Sequence, residues 1–296
     1  MKPKSAYLAA LCAVLSFAAG CALAFFRVFV SRAYMDAAAL HTISSGSVWG
    51  HVPSGAALRA LLYVLPAAAA ALLLVPAFFA CRAGVKPGFR PIRSTAGKTA
   101  AVTASMLFFA ATAVKIAFGQ ASGSLLVWVS AAFCVAAGVA VIAQLRARDQ
   151  QEAGLCLVFP LVHCGYYLLL FYRAMAHHAQ SLVYDYEILA AVTLMLALYY
   201  ICAAHFKKAR PVPLMWLASL SLMLLTACAV SRLYAPTLFG KTVGLGAYDV
   251  LVALATLLLV WHGVFAACRP LPEPTEEPQP EEAAAEEPPA AQDAEE

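Results

Sequence analysis

The chain has 296 residues, of which 63% are hydrophobic and only 12% are charged. Soluble domains carry about 25% charged residues, so this composition excludes a water-soluble globular protein of this length. The chain also lacks a phosphate-binding loop of the GxxxxGK[ST] or GxGxxG kind, which argues against nucleotide-driven transport by this chain alone. We expect no nucleic-acid partner.

Eight apolar stretches follow one another along the chain. Each is close to the roughly 20 residues that a helix needs to cross a bilayer. None alternates with the period of two that is typical of outer-membrane strands. The sequence therefore predicts an all-α integral membrane domain over residues 1–268, a bundle of about eight transmembrane helices with short loops. The predicted spans are approximately 7–29, 57–80, 99–118, 124–145, 153–172, 184–205, 212–232 and 248–267.

The Lys and Arg residues indicate the orientation of these spans. Thirteen of the 20 lie before the first span, in the second, fourth and sixth connections, or after the last span. Cytoplasmic loops carry the excess of Lys and Arg, so both termini are predicted to be cytoplasmic. The membrane is predicted to be a bacterial plasma membrane. The densest clusters are Arg82, Lys86, Arg90, Arg93 and Lys98, then Arg146 and Arg148, then Lys207, Lys208 and Arg210.

The N-terminal segment has two interpretations. Lys2 and Lys4 precede an apolar run that ends Ala-Ala-Gly-Cys at residues 18–21, which resembles a bacterial lipoprotein signal. The position three before Cys21 is Ala rather than the usual Leu, and the chain stays apolar as far as Phe26. We therefore predict an uncleaved first span, with a cleaved signal as the alternative.

The last segment, residues 269–296, is chemically different from the rest. It contains ten of the 16 acidic side chains, interleaved with proline. Few apolar groups, many like charges and frequent proline predict a disordered acidic cytoplasmic tail. Such a tail is a solvated spacer or recruits a basic cytosolic partner.

Polar residues inside the spans are the first candidates for function, because intramembrane ionisable groups are costly. His163 lies near the middle of the fifth span, three residues after Pro160 and beside Gly165. Proline frees a backbone carbonyl one turn earlier, and glycine admits a neighbouring helix. This pattern indicates a ligand contact or a proton relay, or else a structural histidine bonded to a neighbouring helix.

Charged residues at the predicted outer helix ends have a simpler explanation. Asp185, Glu187 and Asp249 begin helices, whereas Arg27 and Arg232 end them. Negative charges at the start of a helix and positive charges at its end both interact favourably with the helix dipole.

The outer connections also carry histidines, at positions 41, 51, 177 and 178. Histidine and carboxylate together can bind zinc, but these spacings match no metal motif. We therefore predict no metal and no other cofactor. Lys115 lies within a turn of its helix end, and its ammonium is expected to snorkel to the surface.

Two aspartates raise the alternative of an enzyme. Tyr184-Asp185 and the segment 244–249, Gly-Leu-Gly-Ala-Tyr-Asp, resemble the YD and GxGD motifs of presenilin-type and prepilin-type intramembrane aspartyl proteases. The resemblance implies that Asp185 and Asp249 share a proton at close range. Asp249 lies two residues farther from the glycine pair than in that motif.

The leading hypothesis is a non-enzymatic permease-like or ligand-binding protein. Its site is expected between the second and fifth helices, both of which contain proline, and opens to the outer face. The expected partners are the lipid bilayer and a small-molecule ligand. The alternatives are the intramembrane enzyme and a membrane scaffold that recruits partners through the tail. The candidate ligand-binding residues are His163, Tyr166, Tyr184, Asp185 and Glu187.

Overall fold

The structure is a computed structural model that describes residues 4–43, 55–82, 95–119, 125–147, 149–175, 185–234 and 246–267. Within these ranges it contains eight α-helices and no β-strand, and all eight helices are long and apolar enough to cross a membrane. The predicted all-helical class and the count of eight are confirmed. The predicted acidic tail, residues 269–296, lies outside the described residues. The helices are α1 (Lys4–Ile43), α2 (Gly55–Arg82), α3 (Thr95–Gly119), α4 (Leu125–Gln144), α5 (Gln150–Met175), α6 (Asp185–His205), α7 (Pro211–Tyr234) and α8 (Ala247–Ala267).

Seven helices match the predicted spans closely, and the largest difference is at the start of α3, at residue 95 rather than 99. The predicted first span, 7–29, matches the apolar segment Tyr7–Val30, although helix α1 itself continues to Ile43. Arg32 and Asp36 end the apolar stretch, but a charge that ends a membrane span does not end a helix. The alanines at 37–39 favour continued helix.

Helix α7 is the most buried of the eight, since 72% of the residues in its most apolar segment are buried inside the bundle. It packs against α1, α2 and α6, while α3 packs against α4 and α8, and α5 against α4 and α6. Helix α8 also contacts α6 and α7, so it connects the α3–α4–α5 part of the bundle to the α6–α7 hairpin.

Helices α1 and α7 approach each other closely at Gly20. A Cβ atom on Gly20 would lie 2.6 Å from the backbone oxygen of Met223 and 2.7 Å from Cβ of Thr226. Gly165, predicted to admit a neighbouring helix, has no such contact, because its nearest neighbour is Sδ of Met195 at 3.9 Å. The backbone approach that requires glycine is therefore at Gly20.

The short connection between α6 and α7 sets their register. Lys207 has a positive φ of 57°, and the N–H groups of Lys207 and Lys208 donate to the carbonyls of Ala204 and Ala203, each at 3.0 Å. This pattern is a Schellman motif, which ends a helix and reverses the chain. Because the hairpin is tight, the first turn of α6 lies beside the last turn of α7.

Helix α2 is tied to the start of α6 at its first proline. Pro66 cannot donate a hydrogen bond to the carbonyl of Leu62. The hydroxyl of Tyr186 donates to this carbonyl at 2.6 Å, and Tyr63 donates to the carboxylate of Asp185. The proline therefore creates an acceptor on α2 that α6 satisfies.

Candidate functional site

The α6–α7 hairpin forms an ion pair between Glu187 and Arg232. Glu187 lies two residues after the start of α6, and Arg232 lies two residues before the end of α7. The Nε and Nη2 atoms of Arg232 both donate to Oε1 of Glu187, at 3.2 and 2.6 Å. Glu187 is only 4% exposed. The carboxylate of this ion pair is therefore buried.

Arg27 brings a second cation to the same place from α1. It is 1% exposed, and its guanidinium lies 4.7 Å from the ring centroid of Tyr186. It also lies within electrostatic reach of Glu187. A buried guanidinium stacked on an aromatic ring is a stabilised arrangement, and here it adds positive charge beside the carboxylate.

A second carboxylate, Asp249, approaches from the start of α8. Its Oδ2 accepts a hydrogen bond from the backbone N–H of Gly246 at 2.6 Å, which caps the helix. Its other neighbours are the hydroxyl of Tyr167 on α5 and the ammonium of Lys115 on α3. Lys115 does not simply snorkel outward as expected, because its Nζ lies 4.5 Å from the ring centroid of Tyr248.

These groups form what we call the distal cluster, at the end of the bundle opposite the first turn of α1 and the last turn of α8. Its members come from α1, α3, α5, α6, α7 and α8. Glu187 and Asp249 lie in the first turns of α6 and α8, and Lys115 and Arg232 lie near the ends of α3 and α7. Arg27 and Tyr167 lie farther from the ends of α1 and α5. The charges are three cations and two carboxylates. The cluster consists of Arg27, Lys115, Tyr167, Glu187, Arg232 and Asp249.

A cavity begins at the distal cluster and extends into the bundle between α5, α6, α7 and α8. We call it the α5–α8 cavity, and its volume is about 30 Å³. On α6 its wall runs from Glu187 to Leu194, about 10 Å at helical rise. A single water needs about 10–15 Å³, so the cavity holds a few waters or a small polar group. The lining residues are Cys164, Tyr167, Glu187, Ala190, Ala191, Leu194, Leu225, Cys228, Val252, Ala253 and Thr256.

Glu187 is the one carboxylate in this lining, and its bonding is incomplete. Oε1 accepts both bonds from Arg232, whereas the buried Oε2 has no hydrogen-bond partner among the described residues. Most of the surrounding wall is apolar. The cavity wall therefore contains one carboxylate with an unpartnered oxygen among mostly apolar residues, which is the usual composition of a small-molecule site.

His163 belongs to a neighbouring polar cluster. Its side chain is fully buried, and its Nε2 lies 3.0 Å from the hydroxyl of Tyr248, which lies 2.8 Å from Oγ of Ser130. The ring of Phe108 packs edge-on at 5.8 Å. His163 thus connects α5 with α4 and α8, and it does not line the α5–α8 cavity.

The predicted site residues are not brought together as one site. Glu187 lines the cavity, but Tyr166 turns toward α4, where its hydroxyl donates to the carbonyl of Leu126 at 3.5 Å. Asp185 bonds to Tyr63, and Tyr184 lies outside the described residues. Among the four candidates that the structure describes, Glu187 alone lies at the cavity.

The expected location between the second and fifth helices is corrected by the packing. Helix α2 lies against α1 and α7, whereas α5 lies against α4 and α6. The cavity wall therefore contains no residue of α2. The prolines of α2 and α5 indicated local irregularity but not which helices would be neighbours.

Sequence reasoning explained Arg27, Arg232 and Asp249 as partners of helix dipoles and did not predict the distal cluster. One sequence signal could have indicated the central pair. Glu187 and Arg232 lie at nearly equal distances from the short connection at residues 206–210. Two helices joined by a short connection are antiparallel neighbours, so opposite charges at such positions come together.

Comparison with protein-family models, with curated proteins and with solved structures gave no match to this chain. The part of the chain that the structure describes also contains no group of three or more His, Cys, Asp or Glu side chains arranged to bind a metal ion.

The Tyr248 hydroxyl provides a test of the polar cluster around His163. We expect Tyr248→Phe to lower the free energy of unfolding by about 1–3 kcal/mol, because it removes the shared partner of His163 and Ser130. Tyr166→Phe is the matched control, since its hydroxyl makes one long bond, and it should cost less than about 1 kcal/mol. Denaturant unfolding of the purified protein in detergent measures both, and equal losses would contradict the assignment.

Proposed function

We propose that this chain is a multi-pass membrane protein of the permease-like or ligand-binding kind. It binds a small polar molecule in the α5–α8 cavity and does not transform it chemically. The observation that carries the proposal is the buried Oε2 atom of Glu187, a residue of the cavity wall, which has no hydrogen-bond partner among the described residues. A buried acceptor left without a partner costs about 1–3 kcal/mol, and more when it is charged. A bound polar molecule would remove this cost.

The alternative of an aspartyl protease is less well supported. Asp185 accepts a hydrogen bond from Tyr63 on α2, whereas Asp249 caps α8 and neighbours Tyr167. Two catalytic aspartates must instead share a proton. The different partners of these carboxylates favour a binding protein. The scaffold alternative depends on the tail, which lies outside the described residues.

A panel of small solutes tests the proposal without assuming a ligand class. The protein is reconstituted in lipid nanodiscs, and the infrared difference spectrum of its carboxylate bands is recorded as neutral, cationic and anionic solutes are added. We expect at least one class to shift a band that isotope editing or Glu187→Gln assigns to Glu187. If no solute of any class shifts this band, the proposed function is wrong.

Two variants show whether the response arises in the cavity. Ala253→Leu fills space in the cavity wall and should abolish the shift. Val139→Leu changes the exposed face of α4 and should leave it unchanged. A response that survives Ala253→Leu would place binding elsewhere.

We further propose that the distal cluster faces the outside of the plasma membrane and that both termini are cytoplasmic, on the distribution of Lys and Arg. Reporters that fluoresce only in the cytoplasm should be active when fused after Arg90, Arg148, Lys208 or the tail. They should be silent after Ser45, Gly123, Ala179 and Thr237. Activity at any of the second group of positions would overturn this orientation or the count of eight crossings.

A further inference from the structure

We infer that the molecule bound in the α5–α8 cavity is electrically neutral and presents an N–H or O–H donor to Glu187. This inference rests on the proposed function and names the class of its ligand. It follows from three properties of the cavity: the charge balance around Glu187, the bonding of the other polar groups in the wall, and the volume.

The charge of Glu187 is already balanced. The Nε and Nη2 atoms of Arg232 donate to Oε1 of Glu187. A second guanidinium, that of Arg27, lies over the ring of the adjacent Tyr186. A cationic ligand beside Glu187 would therefore join a cluster that already holds three cations and two carboxylates, in a poorly screened environment. The net positive charge of this cluster opposes its binding.

An anionic ligand meets the opposite difficulty. The unpartnered atom of Glu187 is an acceptor, and an anion would bring its charge against the carboxylate of Glu187. The hydroxyl of Thr256 donates to the carbonyl of Val252 at 2.9 Å, and the hydroxyl of Tyr167 is engaged with Asp249. The hydroxyl donors of the wall are therefore committed, and the ligand must itself supply the donor.

The volume restricts the size of the ligand. About 30 Å³ accommodates a few waters, which corresponds to a molecule, or a head group, of a few non-hydrogen atoms. Apolar wall residues such as Leu194, Leu225 and Val252 surround the remainder. Small amides and alcohols have this combination of size, neutrality and donor groups.

Isosteric pairs of solutes separate charge from hydrogen bonding. Urea and guanidinium have the same planar shape and differ in charge, whereas acetamide and acetone are both neutral and acetone lacks the N–H donor. The probes are these four compounds and acetate, each at millimolar concentration to avoid denaturation. The measurement is the concentration that half-saturates the Glu187 carboxylate shift in nanodiscs. We expect the half-saturating concentrations of urea and acetamide to be at least tenfold lower than those of guanidinium, acetone and acetate.

The outcomes distinguish this inference from the proposed function. If guanidinium equals or exceeds urea, the ligand is cationic and the inference is wrong, although the site remains. If acetone equals acetamide, the donor requirement is wrong. If none of the probes and no other solute shifts the band, the site itself is wrong.

A variant provides an independent check of the donor requirement. In Glu187→Gln the amide oxygen can still accept from Arg232, and the amide N–H group then replaces the unpartnered Oε2 acceptor. The preference for acetamide over acetone, read from solute-dependent shifts of the unfolding temperature, should fall at least tenfold. Ala253→Leu, which retains the ion pair, should abolish the response to both solutes. An unchanged preference in a folded Gln variant would overturn the inference.

Discussion

Replacing Glu187 with leucine should lower the free energy of unfolding by about 3–5 kcal/mol, because it leaves the buried ends of two arginines without their shared carboxylate. Arg232 donates two bonds to this carboxylate, and Arg27 lies within its electrostatic reach. The measurement is denaturant or thermal unfolding in detergent, together with the yield of monodisperse protein. Arg146→Met, at an exposed cation at the opposite end of the bundle, should change the stability by less than about 0.5 kcal/mol.

The double variant Glu187→Leu/Arg232→Met tests whether this loss belongs to the ion pair. Removing both charges of a buried pair is far less destabilising than removing one, and it can even stabilise a protein. We therefore expect the double variant to recover most of the stability, with a coupling energy of about 2–3 kcal/mol. Strictly additive losses would show that Glu187 stabilises the fold through other contacts.

The spans could be predicted from the sequence because lipid imposes a simple requirement. About 20 apolar residues must occur together, and each helix satisfies its own backbone, so neither property depends on neighbouring helices. The first span was also predicted to within one residue of Tyr7–Val30, but the end of a membrane span is not the end of a helix. Arg32 and Asp36 are unfavourable in lipid but are tolerated in a helix, and the helix continues to Ile43.

The candidate site could not be predicted in the same way, because burial depends on helix neighbours. Arg27 and Arg173 follow similar local sequences, Phe-Phe-Arg and Phe-Tyr-Arg. Arg27 is 1% exposed against α6, whereas Arg173 is exposed. A dipole argument applies equally to both positions. Only the packing of α1 against α7 makes one of these arginines part of the distal cluster.

His163 illustrates the same limitation for a residue that the sequence did single out. Its position in the fifth helix correctly indicated burial, and burial requires a partner. The partner is the hydroxyl of Tyr248 on α8, 85 residues later in the chain. No local pattern specifies this contact, and it turns the histidine toward α4 and α8 rather than into the cavity.

The contact between α1 and α7 can be tested with two alanine substitutions of opposite expected sign. Gly20→Ala should lower the free energy of unfolding by about 2–3 kcal/mol. The new Cβ atom would lie 2.6 Å from a backbone oxygen, which cannot rotate away as a side chain can. Gly165→Ala is the matched control. Its Cβ atom meets nothing closer than Sδ of Met195 at 3.9 Å, so helix propensity should raise the stability by about 0.5–1 kcal/mol.

Gly20→Ala should also weaken the distal cluster, because Arg27 lies two turns farther along the same helix. Displacing α1 from α7 moves the guanidinium of Arg27 away from the ring of Tyr186, beside Glu187. The coupling energy between Glu187 and Arg232 should therefore differ when it is measured in the Gly20→Ala background, whereas Gly165→Ala should leave it unchanged. Equal stability of the two glycine variants would show that α1 and α7 can separate without cost. In that case, the position of Arg27 would have to be fixed by α6 rather than by the close approach at Gly20.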